Sequence, residues 1–221
     1  MWLGGARPII FPLDQDVKLT SVEYDKLFGI QENDHKLEDT RVYQRLIGKL
    51  LYLAIIRPDI SFAVQTLSQF MNAPNPSHYE ATLRVVKYVK NIPGKGRLMS
   101  SKQSGKVMAF CDADWASCPV TRKSVISYCI KLGDSMIFWK SKKQSTISRS
   151  SAEAECSSMA TTVAELVWLH GLLEEVSMKV DLPMELYCDN KAALQIASNP
   201  MYHERTKHIE IDCHFIREKF K

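Results

Sequence analysis

Residues 107–117 read VMAFCDADWAS: a run from Val107 to Cys111 with little polar content leads straight into Asp112, and Asp114 and Trp115 follow. A short apolar run closed by polar residues is the pattern of a central strand buried on both faces. A carboxylate at the end of such a strand is held rigidly at the rim of a sheet. What else reaches that rim decides the reading of the chain.

Downstream, SVISYCIKL (124–132) is β-branched and aromatic, and SMIFWK (135–140) follows a turn at Gly133-Asp134, so three strands in an antiparallel meander are predicted. Pro183 introduces a fourth strand, MELYC (184–188), which runs into the short helix of DNKAALQIA (189–197). Between them a long helix is predicted from near Ser150 to about Val176, carrying Cys156, Met159, Val163, Leu166, Val167 and Leu169. After Asn199-Pro200 a last helix is predicted over 204–219. The order β-β-β-α-β-α-α predicts an α/β mixed sheet with flanking helices.

Upstream the texture is helical. Val42, Leu46, Ile47, Leu50, Leu51 and Ala54 recur at three and four and stop before Pro58; Ile60, Ala63, Val64, Leu67 and Phe70 continue; Tyr79, Leu83, Val86 and Val89 form a third face closed by Pro93-Gly94. Residues 1–38, with Gly4-Gly5, Pro8 and Pro12 and no periodicity, read as an extended arm. The predicted organisation is an arm (1–38), a small helical unit (39–95) and the mixed-sheet domain (96–221).

Bulk numbers exclude several classes. The 221 residues are 45% hydrophobic, enough for one large or two small cores, so the chain is not a disordered tail. Lys+Arg 29 against Asp+Glu 25 gives a net charge of +4, a mild excess that favours a polyanion only where cations cluster. Six scattered cysteines without a C-x-x-C pair argue against structural zinc, and the expected setting is reducing and intracellular, cytoplasmic or nuclear. No apolar run approaches 18 residues, so no membrane partner is expected.

Three acids occupy comparable places: Asp112 at the end of the first strand, Glu153 in the first turn of the long helix, and Asp189 at the end of the fourth strand. If the first and fourth strands are parallel neighbours, their carboxyl ends lie side by side, where ligands bind in such sheets. Like charges brought together raise one another's pKa, and a divalent cation removes that cost. Each acid also has a structural explanation. Ser150 and Glu153 fit a capping box, Asp189 can cap the helix starting at Lys191, and Asp112 can be an ordinary turn acid.

The stretches FCDADWASCPVTRKS, IFWKSKKQSTISRSSAEAE, LYCDNKAALQIASNP and ERTKHIEIDCHFIREKF resemble, in order, the motifs of the ribonuclease H domain of copia-type retrotransposon Pol polyproteins. YQRLIGKLLYLAIIRPDISFAVQTLSQFMNAPNPSHYEATLRVVKYVKNIPGKG resembles the segment joining the reverse-transcriptase palm to that nuclease. The resemblance implies a ribonuclease H-like sheet and a site binding two Mg²⁺ ions, with Mn²⁺ as a substitute, that cleaves the RNA strand of an RNA·DNA hybrid. Matched residue by residue it implies Asp112, Glu153 and Asp189 as metal ligands and catalytic residues. Glu155, two positions on and about 200° around the helix, is the less fitting glutamate. Asp114 is the supporting acid of the loop.

Substrate contacts are expected from Lys140, Lys142, Lys143 and Arg149, cations able to meet phosphates, and from Gln144 and Asn190 toward the ribose 2′-hydroxyl. The expected partners are an RNA·DNA hybrid or other nucleic acid and the rest of a Pol polyprotein. The chain departs from the family at several points. It has no Y-x-D-D palm motif, and it ends at Phe220-Lys221, where the family continues with a fifth strand and a helix bearing a fourth carboxylate. Asp212 and Glu210 stand in the last helix instead, and His208 and His214 read as surface or packing histidines. Ser117 and Ser127 replace frequent glycines, with strain expected in a turn, and Cys156 replaces a frequent tyrosine. The alternative reading is a ribonuclease H-like remnant that binds nucleic acid without turnover.

Overall fold

The computed structural model describes residues 7, 9–14, 17–29, 35–102, 104–199 and 209–219. The chain divides into two units, Met1–Arg97 and Leu98–Lys221, described separately here.

In the first unit, helices α1 (Val22–Phe28), α2 (Thr40–Leu53), α3 (Ser61–Ser68) and α4 (Pro76–Asn91) surround a core of Tyr43, Ile47, Ile60, Val64, Leu67 and Val85, all essentially inaccessible. The stretch read as an extended arm contains α1, started by the Ser21 side chain accepting from Tyr24 N–H and stopped at Gly29 in the left-handed region. Seven residues are too few for periodicity to reveal, so its signal is the cap pair. Leu19 joins the unit's core. Asp39 caps α2 and Asn75 caps α4, where a capping box with His78 closes the N-terminus and Pro76 takes the first helical position. Arg57 lies in the interior, gripping both Asp59 oxygens at 2.9 and 2.8 Å.

The second unit is built on a four-stranded sheet in the order β3-β2-β1-β4: β1 (Lys106–Asp114), β2 (Val125–Leu132), β3 (Ser135–Lys143) and β4 (Asp181–Tyr187). β1 pairs antiparallel with β2, β2 antiparallel with β3, and β1 parallel with β4. The β2–β3 turn uses Gly133 at φ 56°, where an added Cβ would meet Ser104 Cβ at 2.7 Å. Pro183 sits within β4, at the sheet's edge, where its missing N–H is tolerated. Helices α5 (Ser151–Glu175), α6 (Lys191–Ser198) and α7 (Glu210–Lys219) complete the unit.

The reading of β1 as buried on both faces is overturned. Burial alternates along it: Val107, Ala109, Cys111 and Ala113 are buried while Phe110, Asp112 and Asp114 are exposed. Val107, Ala109 and Cys111 share a core with Met159, Val163 and Leu166 of α5 and Tyr128 and Ile130 of β2, while Ala113 clusters with Ile126 and Ala154. On the opposite face Phe110 stacks on Tyr187 with ring centroids 5.0 Å apart. β1 also runs two residues past Asp112, which pairs with Ser127, so that acid stands within the strand and on its exposed face. Ser127 lies in mid-strand and not in a turn; the left-handed residues of the loop after β1 are Ala116, φ 52°, and Arg122, φ 54°. Cys156 is fully buried in the core.

Candidate functional site

The parallel β1–β4 pair sets the site. Its register aligns Phe110 with Tyr187, so the next residues along the two chains are Cys111 and Cys188, followed by Asp112 and Asp189. Cys111 Sγ donates to the Tyr187 carbonyl at 3.5 Å across the same gap. Asp189 does not cap α6, because Asn190 does so, its side-chain oxygen accepting from Ala193 N–H at 3.0 Å. The Asp189 carboxylate is exposed.

The third acid comes from α5, and it is Glu155. Glu155 is only 4% accessible, its Oε1 accepts from Ala113 N–H at 3.1 Å, and Cys188 Sγ donates to its Oε2 at 3.6 Å. One donor atom each from Glu155, Cys188 and Asp189 lie within 4.8 Å of one another. Ser158, one turn along α5, donates to the Asp112 carbonyl at 3.0 Å and pins the helix to β1. Glu153 stands elsewhere: its Oε2 accepts from Arg149 N–H at 2.7 Å, its own N–H is capped by Ser150, and its charge acts on Asp212 of α7. The structure therefore brings Asp189 and Cys188 together with Glu155, with Asp112 near enough for its charge to act on that glutamate, where the sequence favoured Glu153.

Electrostatics follows from this crowding. Burial pushes the Glu155 carboxyl up to about 8; the Ala113 N–H opposes, and the nearby Cys188, Asp112 and Asp189 add to the rise. The Cys188 thiol is lowered by the hydrogen bond from Cys111, against its own burial and against Asp189. Asp114, though exposed at its rim, is raised by partial desolvation of its carboxyl, opposed by a hydrogen bond from Ser117 and helped by a smaller push from Asp112. Asp212 is raised by burial, partly offset by a hydrogen bond from Ser157.

The expected substrate residues are dispersed. Gln144 is buried, its amide nitrogen donating to the Ala154 carbonyl at 3.1 Å and its oxygen accepting from Ser148 Oγ at 2.7 Å, so it locks the approach to α5. Lys140 pairs with Glu165 at 3.6 Å, and Lys143 lies 3.8 Å from Cys118 Sγ. Strand alternation puts Lys140 and Lys142 on one face of β3 and Lys143 on the other. Lys142 and Arg149 are exposed. His214 is exposed on α7; His208 lies outside the described residues.

Sequence reasoning missed Cys188 and Cys111, although the repeated Cys-Asp pair at the ends of two strands is visible in the chain. Asp112 near the end of β1, Asp189 just past the end of β4 and Glu155 of the facing helix define an α/β unit with acids gathered at one rim of its sheet. Known proteins of similar sequence narrow that class. The chain is 38% identical over 214 residues, 97% of its length, to the retrovirus-related Pol polyproteins from transposons RE2 and RE1 of Arabidopsis thaliana. It is 31% identical over 217 residues to that from transposon TNT 1-94 of Nicotiana tabacum. The chain is thus a relative of copia-like retrotransposon Pol polyproteins, and it spans 14% of the length of RE2 and 16% of TNT 1-94. No protein-family profile matches the chain, and no solved structure does. Among the described residues no helix is long and apolar enough to cross a membrane.

Proposed function

We propose that the second unit is a ribonuclease H-like domain, and that it cleaves the RNA strand of RNA·DNA hybrids with Mg²⁺, as part of a retrotransposon Pol polyprotein. The observation that carries this reading is the convergence of Glu155 and Asp189 beside the carboxyl ends of two parallel strands, with the charge of Asp112 acting on Glu155 from the neighbouring strand. Carboxylate oxygens are the donors Mg²⁺ prefers, and Glu155 is held protonated by burial and by the acids around it, a cost that a cation would remove, so the residues fit the ion. Asp112, Glu155 and Asp189 would hold it. When bound, the metal supplies activation of the attacking water and stabilisation of the leaving oxygen.

The chain's own residues prepare that chemistry. The strand backbones hold the two aspartates in place, and the Ala113 N–H fixes one oxygen of Glu155 so that the other turns to the site. Glu155 releases its proton as the cation arrives. Lys142 and Arg149 serve the phosphates, with Lys140 and Lys143 behind them, and the Asn190 amide nitrogen serves a ribose hydroxyl. Gln144 has no substrate role here, because both its amide atoms are engaged in holding α5.

A second reading is favoured by the Cys188 thiol standing 3.6 Å from Glu155 in an otherwise oxygen-rich donor set: the unit binds hybrid without cleaving it. Incubating the purified chain with a hybrid labelled in its RNA strand separates the two. Mg²⁺-dependent RNA fragments that vanish in Asp112→Asn support the nuclease. Salt-sensitive binding without cleavage in Mg²⁺ or Mn²⁺ overturns it in favour of the second reading.

A further inference from the structure

The acid site contains one donor that a magnesium enzyme has no use for. Cys188 is half-buried at the margin of the core, and its Sγ also donates to the Glu155 carboxylate. The common role of an isolated cysteine, a small filler of the core, describes Cys156 and Cys213 better. Three donors of different kinds, Glu155 oxygen, Cys188 sulfur and Asp189 oxygen, converge within 4.8 Å. The Glu155 Oε2 to Cys188 Sγ separation is 3.6 Å. A tetrahedral ion with bonds of about 2.1 Å to oxygen and 2.3 Å to sulfur requires its ligand atoms to stand about 3.6 Å apart.

The surroundings are those of a coordinating residue. Glu155 is nearly inaccessible and its second oxygen is fixed by the Ala113 N–H, the outer hydrogen bond that orients a ligating carboxylate. Asp189 is exposed, which gives an ion a way in, and Asp112 adds negative charge beside the triad. Sulfur in the donor set changes which ion is preferred: thiolates select Zn²⁺ and its chemical relatives, while Mg²⁺ wants oxygen alone.

We propose that Glu155, Cys188 and Asp189 form a binding site for a thiophilic divalent cation of the Zn²⁺ class, which excludes Mg²⁺ from the acid site while it is bound. The proposal rests on the acid site assigned above and not on its nuclease activity. Co²⁺ is the probe, because a cobalt–thiolate bond gives a near-ultraviolet charge-transfer band and tetrahedral cobalt gives intense visible bands.

The full chain is titrated with Co²⁺ in excess Mg²⁺, and Zn²⁺ is then added to displace the cobalt. The expected result is a charge-transfer band in the parent chain, erased by Zn²⁺, absent from Cys188→Ser and retained in Cys129→Ser, whose cysteine pairs with Phe110 on β1 outside the triad. Asp189→Asn keeps the sulfur, so it should keep the band while weakening cobalt binding about 10- to 100-fold. A near-ultraviolet dichroism spectrum matching the parent shows that Cys188→Ser is folded; if it is not, Asp189→Asn alone decides, and an unchanged cobalt affinity there overturns the proposal. No band in the parent chain, or a band that survives in folded Cys188→Ser, also overturns it. Hybrid cleavage without a cobalt band would leave the nuclease reading standing and this inference lost; a band without cleavage would do the reverse.

Discussion

The two units each bury charge, and they settle it in opposite ways. In the first, Arg57 is matched from all sides: both nitrogens of its fork meet Asp59, a third donates to the Ile92 carbonyl at 3.1 Å, and Tyr88 hydroxyl donates to Asp59 at 2.8 Å. Burial alone would raise the Asp59 carboxyl, but the bonds from Arg57 and Tyr88 more than reverse it, and it ends well below the usual range. In the second, Glu155 gathers like charges and a thiol, and its carboxyl goes up to about 8. A closed ion pair is structure complete in itself, while a cluster of one sign waits for a cation. That contrast, more than any single motif, separates the framework from the site.

The largest effect that would break the contrast is on the framework side. Asp59→Asn leaves the Arg57 guanidinium buried without its counter-ion, and stranding one partner of a buried pair costs about 3–5 kcal/mol. Asp59 is partly accessible, with 20% of its side chain exposed, so the low end, about 3 kcal/mol, is expected. Urea unfolding reads it. A loss below about 1 kcal/mol would mean that the guanidinium finds water in the folded state and that the pair is not what closes this core.

On the site side, Glu155→Gln is expected to lower hybrid cleavage at least about 100-fold, since even the partners that merely orient metal ligands contribute 10- to 100-fold. The same change should be harmless to folding at neutral pH, because the neutral amide resembles the protonated acid already present there. Cleavage within tenfold of the parent would remove Glu155 from the site.

The two carboxyls also predict opposite responses to pH. Asp59 has a lowered pKa, so its stabilisation is present above the ordinary carboxylate value of 3.8 and is lost as acid protonates it. Glu155 is raised from 4.5 to about 8, so the folded chain keeps a proton that the unfolded chain has released; that contribution is full below 4.5 and disappears as pH climbs through about 8. In a chelator, the melting temperature of the sheet unit should therefore fall between pH 5 and 8, and Glu155→Gln should flatten the slope. Saturating divalent cation should flatten it as well, by supplying the missing charge. A slope unchanged in the variant would sever Glu155 from the pH response.

Much of the framework was legible in the chain. The antiparallel order of the first three strands follows from the meander spacing, the place of the fourth beside the first is left open by the residues alone, and α2 and α4 follow from apolar residues at three and four with proline boundaries. The exposed face of β1 was hidden because Met108 and Phe110 look like core residues; only the one-sided packing of α5 tells them from Val107 and Ala109. The helix α1 was hidden by its shortness. Two site acids could be read because each follows an apolar run, but a sequence does not show two thiols meeting between β1 and β4.

Glu153 is the expected acid that the structure sets apart from Asp189, and its position in α5 explains why. The capping motif drew attention to the first turn, whereas the buried face of the helix runs through Glu155, Met159, Thr162 and Leu166, in phase at helical spacing, with Glu153 off that line. Glu153 does bond back to the chain entering the helix, one residue before the cap, at Arg149 N–H. Its replacement by Gln should therefore cost no more than about 1 kcal/mol, the usual scale of a helix-terminus bond, and should change cleavage less than tenfold. This is the smallest effect anticipated and the most discriminating one, since both glutamates lie within the first turn and a half of the same helix. If Glu153→Gln were to abolish cleavage while Glu155→Gln left it intact, the closed pair in the first unit would have no counterpart in Glu155, and the vacancy for a cation would lie beside Asp212 instead.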